Sequence, residues 1–476
     1  MKRGLLAAFA ALMLAGLAGA VPSSSSSASG TQGYLVLLTG TQGTEGFTAT
    51  GTEAAVSAAI SAAGGTISNN LAEQIGVLYV HSPSSTFASA LSSSALVESV
   101  GADFSWQGIT AGAAPELQDD PLEPAQWDMQ QIRTDEAHAI QGGISAVDVG
   151  VLDSGIDGNH VDFKKNGVSN VDCARGRNSV TFVPNGPGVG TADPCVDNQF
   201  HGTHVAGTIG ARANGIGFVG VAPNVTLVPV KVCDTSGYCY ASAVVDGITY
   251  AGDQKFDVIN MSFFVDDNEF QQSTEFKCMD DPVQRTFRLA VERAIQYARN
   301  QGVTPVAALG NSDEDLAHPT DTENNCEVVP AETQGVIGTA ALGRAKQKAS
   351  YSNYGTGPTD VAAPGGTGTG NCLNAVPSTF PGSTYGCISG TSMASPHAAG
   401  VAALIVSQFG TLGSDGDVKM PPTKVEQYLQ STAVDQGLPG YDECFGNGRI
   451  DALRAVKHDT SRAYDASAPF CPEYEE

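Results

Sequence analysis

One stretch of this 476-residue sequence carries a side chain that could act as a nucleophile. Gly390-Thr391-Ser392-Met393-Ala394-Ser395-Pro396-His397 runs into an alanine-rich apolar segment, Ala398 to Phe409, that reads as a buried helix. The Ser392 hydroxyl then stands at a helix N-terminus, where unpaired N–H groups and the helix dipole favour developing negative charge. An oxyanion formed by attack from that hydroxyl would sit in a favourable field. Serine is also an ordinary N-cap, so acyl transfer needs a base, an orienting acid and a second oxyanion donor elsewhere. Three further stretches complete such a set: Asp153-Ser154-Gly155-Ile156-Asp157, His201-Gly202-Thr203-His204-Val205-Ala206-Gly207, and Ala307-Ala308-Leu309-Gly310-Asn311.

Singly, each has a plainer use. Asp153 can cap a turn, and Asn311 can hold a left-handed one. His201 and His204, three apart, can face a metal, but no glutamate completes an H-E-x-x-H arrangement. Their occurrence together in one chain is what points to a catalytic centre.

The elements that must position them alternate between β and α. Short apolar runs predict strands over Ala146 to Leu152, Val225 to Val232, Asp257 to Met261, Val303 to Leu309, Gly335 to Ala340 and Thr359 to Ala362. Between them, Phe287, Val291, Ala294, Ile295 and Ala298 recur at helical spacing, with Gly302 as a stop. This order predicts an α/β fold with a mostly parallel sheet covered by helices on both faces. Chemistry in such folds gathers at the carboxyl ends of strands, and Asp153 and Asn311 fall just past two of them.

Composition narrows the setting. Fifty acidic against 24 basic residues give a net charge of -26, which argues against nucleic-acid or anionic-membrane partners. Residues 1–20 read as a secretory signal: Lys2 and Arg3, an apolar core from Leu5 to Leu17, then Ala18-Gly19-Ala20. A secreted protein without a membrane span is expected. The ten cysteines all lie beyond residue 170, and an even number in an exported chain suggests disulfides. Pairing of sequence neighbours gives Cys173–Cys195, Cys233–Cys239, Cys278–Cys326, Cys372–Cys387 and Cys444–Cys471. A Ser-rich spacer (21–33) leads to a compact α+β unit (34–103), then a Gly-, Ala- and Pro-bearing linker (104–123) before the main domain (124–476).

On these motifs the chain resembles the subtilase family of serine peptidases from Pro124 to about Val456. The Asp…His…Ser order differs from that of the α/β-hydrolases, and Gly390 to Ala394 lacks the last glycine of their Gly-x-Ser-x-Gly elbow. The resemblance implies a subtilisin-like fold, with Ser392 as nucleophile, His201 as general base and then acid, and Asp153 orienting the imidazole. It implies Asn311 as oxyanion donor, and a structural place for His204 and His397. It further implies an endopeptidase acting as a monomer on extended polypeptides, which pair as an added strand beside Asn260-Met261-Ser262. There the sequence departs from the family, with Ser262-Phe263-Phe264 where glycine commonly follows the serine by two. Phe264 either narrows the pocket or turns into the core, and an acidic insertion follows through Asp281.

Residues 34–103 resemble the family's propeptide, an intramolecular inhibitor that is cut off between Thr110 and Pro124. The chemistry itself implies no cofactor. A structural Ca²⁺ is expected from Asp162, Asn214 and Glu123, the last standing for an N-terminal ligand. A catalytically silent peptide-binding relative is the alternative from another class, disfavoured because all four chemical positions are filled. An esterase is disfavoured by the order of the triad.

Overall fold

The computed structural model describes residues 31–108, 122, 125–182, 193–264, 281–317, 327–368, 372–469 and 471. Its centre is a seven-stranded sheet in the order Arg177–Asn178, Thr226–Lys231, Asp148–Asp153, Val258–Met261, Thr304–Ala308, Ile337–Leu342, Val361–Pro364. Every adjacent pair is parallel. The six strands expected from apolar runs are present. Arg177–Asn178 was not expected, being two polar residues without a period to read.

From Asp148–Asp153 the chain builds one side of the sheet and then returns to build the other. The order therefore reverses between that strand and Val258–Met261, and an open parallel sheet leaves its crevice at such a switch point. Helices cover both faces. Ala241–Gln254 and Pro282–Asn300 bury Val244, Ile248, Phe287, Val291 and Ile295 on one side; His201–Gly210 and Thr391–Phe409 bury Val205, Ile209, Val401 and Leu404 on the other. Pro282 begins its helix beneath an Asp281 cap that accepts from Val283 and Gln284 N–H, which fixes the start of that element.

The N-terminal unit is a four-stranded antiparallel sheet in the order Thr66–Leu71, Val77–Ser82, Gln32–Leu38, Val97–Ala102. Helices Glu53–Ala62 and Phe87–Leu91 lie on one face. Side chains alternate across a strand, and here both faces are used. Tyr34, Val36 and Leu38 pack with Val56, Ile60 and Phe87, whereas Leu35 and Leu37 share a core with the Pro282–Asn300 helix. Burial on both sides explains the unbroken apolar run Tyr34 to Leu38 in a small antiparallel sheet. The Thr66–Leu71 strand, Thr-Ile-Ser-Asn-Asn-Leu, escaped the sequence reading because it is polar and half-exposed.

The linker expected from residue 104 starts instead as ordered chain. Ser105–Gln107 pairs antiparallel with Tyr238–Tyr240, placing Trp106 opposite Cys239. Trp106 is buried among Phe104, Phe263 and Phe287, so aromatic burial overrides a composition that reads as loop. Cys173–Cys195, Cys233–Cys239, Cys372–Cys387 and Cys444–Cys471 are bonded as expected. Cys278 and Cys326 lie outside the described residues, as do the signal segment and the cleavage stretch before Leu122. Among the described residues no helix is long and apolar enough to cross a membrane.

Candidate active site

Strand Asp148–Asp153 is buried throughout and delivers Asp153 to the crevice. Both carboxylate oxygens lie 2.9 Å from His201 Nδ1, and Oδ1 also accepts the Ser154 N–H at 2.7 Å. A carboxylate can only accept, so Nδ1 carries a proton and the neutral ring leaves Nε2 a bare acceptor.

His201 opens its helix, and Asp197 sets that start. Asp197 Oδ1 accepts the N–H groups of Gln199 and Phe200 and the Ser154 hydroxyl, while Oδ2 accepts Thr203 N–H and its hydroxyl. Ser154 Oγ in turn accepts Gly202 N–H at 3.0 Å. The Asp153 turn and the His201 helix therefore touch through backbone. A side chain on Gly202 would come within 2.1 Å of the Gly155 carbonyl oxygen, which requires glycine there. Asp197 was missed by the sequence reading. An Asp accepting the N–H groups two and three residues on is an Asx turn, a turn preference that reading could have used.

Ser392, 6% exposed, occupies the first turn of Thr391–Phe409, and its hydroxyl donates to the Ser262 carbonyl at 3.0 Å. Pro396 lies inside this helix and has no N–H to give the Ser392 carbonyl. Ser262 Oγ supplies the missing donor at 2.8 Å, accepts Asn260 Nδ2 at 2.8 Å and meets Ser395 Oγ at 2.9 Å. The Ser262 side chain thus bolts the Thr391–Phe409 helix to the end of strand Val258–Met261. Of the three expected substrate contacts, its hydroxyl is committed to this brace and Phe263 is fully buried beside Trp106. Phe264 is half-buried on the same core, which favours the inward orientation of the two weighed for it.

Asn311 is fixed by its oxygen, which accepts Thr391 N–H at 2.9 Å and Thr391 Oγ1 at 2.8 Å. Its amide nitrogen then faces Gly390. A carbon added to Gly390 would lie 3.5 Å from Asn311 Nδ2 and 3.6 Å from Ser392 N, so two donors converge on the bare side of this glycine. Asn353, also missed from sequence, holds the turn: Oδ1 accepts Ser312 and Glu314 N–H, and Nδ2 donates to the Leu309 carbonyl.

The other histidines serve the framework. His204 Nε2 bonds the Val376 carbonyl, and burial pulls its pKa down to about 3, which keeps the ring neutral. His397 is buried between the Met393 carbonyl and Asp128 Oδ2. At the expected calcium loop, Asp162 is fully buried and accepts Phe218 N–H, and a side chain on Gly217 would strike its Oδ2. Asn214 is spent differently. Its oxygen accepts Ile216 N–H and its nitrogen donates to the Val161 and Lys164 carbonyls, so it braces the turn. The buried Asp162 carboxylate suits a calcium ligand, and the Asn214 oxygen keeps a second lone pair beyond its turn bond; Glu123 lies outside the described residues.

Comparison with known proteins adds four likenesses. The family model described as the subtilase family matches residues 145–448. Subtilisin of Bacillus pumilus is 34% identical over 331 residues, covering 70% of this chain and 98% of the relative. Subtilisin E of Bacillus subtilis (strain 168) is also 34% identical over 331 residues, covering 70% of this chain and 71% of the relative. Among solved structures, the epidermin leader peptide processing serine protease from Staphylococcus aureus shares the fold. It has a TM-score of 0.69 at 21% identity and covers 91% of this chain and 99% of its own.

Proposed function

This chain belongs to the subtilase family and is a serine-type endopeptidase, and from that premise we propose that Ser392, His201 and Asp153 are its catalytic triad. His201 Nε2 takes the Ser392 proton as Oγ adds to the scissile carbonyl, then returns it to the leaving amine. Asp153 holds Nδ1–H and stabilises the imidazolium. Asn311 Nδ2 and Ser392 N–H receive the oxyanion, and water then hydrolyses the acyl-enzyme. The observation that carries this reading is the buried Asp153–His201 contact at 2.9 Å, on a helix packed against the one whose first turn holds Ser392.

The enzyme is made as a secreted, monomeric zymogen acting on polypeptides. Residues 34–103 inhibit it until the chain is cut between Thr110 and Pro124. What supports the inhibitory role is the antiparallel pairing of Ser105–Gln107, which follows the N-terminal unit, with strand Tyr238–Tyr240 of the main domain. A Ca²⁺ held by Asp162 and Asn214 would stabilise their loop and take no part in the chemistry.

The test is to incubate the exported protein with an unstructured polypeptide and a serine-directed phosphonate. Cleavage and labelling at Ser392 are expected, and Ser392→Ala should leave the precursor uncut. Absence of both cleavage and labelling after removal of the N-terminal unit would sink the triad assignment. Normal maturation of Ser392→Ala in a protease-free host would overturn self-processing.

A further inference from the structure

We propose that the Cys233–Cys239 disulfide sets substrate specificity, closing to every side chain the subsite that Gly108 occupies. The protease then selects polypeptides with a bulky aromatic residue followed two positions later by glycine. This rests on the reading that Phe104 to Gly108 lies where a substrate lies.

The tail is anchored by Trp106, which pairs with Cys239 and buries its ring against Phe104, Phe263 and Phe287. Gly108 N–H folds back on the Trp106 carbonyl at 2.9 Å, and Gly108 itself lies against the disulfide. A carbon added to Gly108 would sit 2.6 Å from Cys239 Sγ, closer than non-bonded atoms approach. The glycine is not needed for its backbone, whose φ lies outside the left-handed region. Two atoms meet that carbon, the sulfur and, at 2.9 Å, the Trp106 indole nitrogen of the tail itself, and of these only the sulfur belongs to the enzyme side of the pairing.

That sulfur cannot swing aside. Both cysteines are fully buried and joined across six residues, and Cys239 lies within the edge strand. Cys233 N–H donates to the Asp153 carbonyl at 3.2 Å, which ties the disulfide to the strand that carries the triad carboxylate. The penalty for a side chain therefore falls on the ligand. Without the sulfur, the next fixed atom is Cys239 Cβ at 3.4 Å, an ordinary contact.

The experiment measures kcat/KM for peptides carrying an aromatic anchor, one spacer residue, and then Gly, Ala or Leu, with the mature enzyme and with Cys233→Ala/Cys239→Ala. The wild type should favour Gly over Ala by roughly tenfold or more, the range for steric rejection of one small group. The double variant should bring that ratio near one while keeping its preference for the aromatic anchor. A wild-type ratio near one, or an undiminished ratio in the double variant, overturns the proposal. Indifference to the anchor as well shows instead that the tail does not mark the substrate path. Should the double variant not fold, Gly108→Ala in a Ser392→Ala chain with its disulfide intact gives the answer. Trp106 emission should shift to the red as the tail lifts; unchanged emission overturns the proposal.

Discussion

At Asn311 the amide oxygen takes both bonds from Thr391, so only the nitrogen can meet a developing oxyanion. Removing it should act on the transition state and spare ground-state binding. Asn311→Leu is expected to lower kcat on the order of 10²–10³-fold with KM little changed, the loss known for one oxyanion donor in the related subtilisin. Steady-state kinetics on one peptide substrate decide it; a rise in KM at constant kcat would assign Asn311 to substrate binding. Ser262 teaches the same point about backbone supply. Pro396 leaves the Ser392 carbonyl short of a donor, and a hydroxyl from a distant strand provides it.

Two elements depend on single carboxylates. Asp197 caps the His201 helix and holds Ser154 beside Asp153, so Asp197→Ala removes both supports. Loss of the cap should cost about 1–2 kcal/mol of stability. kcat should also fall, because the imidazole loses its fixed approach, and partial rescue is expected from Asp197→Asn. Denaturant melts with kinetics on the same samples would separate the two effects; a stability loss with unchanged kcat removes the positioning role. Asp257, just before strand Val258–Met261, accepts Asp148 N–H at 2.9 Å. Burial, with the Asp148 and Asp417 carboxylates nearby, pushes its pKa up to about 8. A raised carboxyl stabilises the fold fully below its unfolded pKa of about 3.9, and that contribution is lost as pH rises through 8. Asp257→Asn keeps the acceptor without the charge. Its stability relative to wild type should grow from pH 4 to about pH 8 and then level off; a gap constant with pH would contradict this.

For the whole molecule, the decisive contact is the N-terminal unit on the helices Ala241–Gln254 and Pro282–Asn300. Asp103 accepts Ser242 N–H and Oγ at the first turn of one helix; Arg293 of the other reaches Glu98 and the Ile75 and Gly76 carbonyls. Burial pushes Asp103 up to about 6, so its contribution to docking is fully present near pH 4 and is lost as pH rises through 6. In a Ser392→Ala chain, hydrogen exchange of strand Gln32–Leu38 should be slower at pH 5 than at pH 8, after correction for intrinsic rates. Asp103→Asn should flatten that difference, and an opposite trend would exclude Asp103 as its source.

The sequence by itself determined the parallel sheet, the turns and helix starts that carry Asp153, His201, Asn311 and Ser392, and the four disulfides described. Each is written in consecutive residues, as an apolar run meeting a turn, or follows from pairing neighbouring cysteines. Tertiary structure alone decided what those residues lean on. Asp197 meets Ser154, Asn353 meets Leu309 and Asp103 meets Ser242 through folds of the chain that no local period records. Ser262 and Phe263 changed meaning for the same reason. A hydroxyl beside a strand end and an apolar ring can serve a ligand or the core, and only the arrival of Pro396 and Trp106 from distant segments settles which.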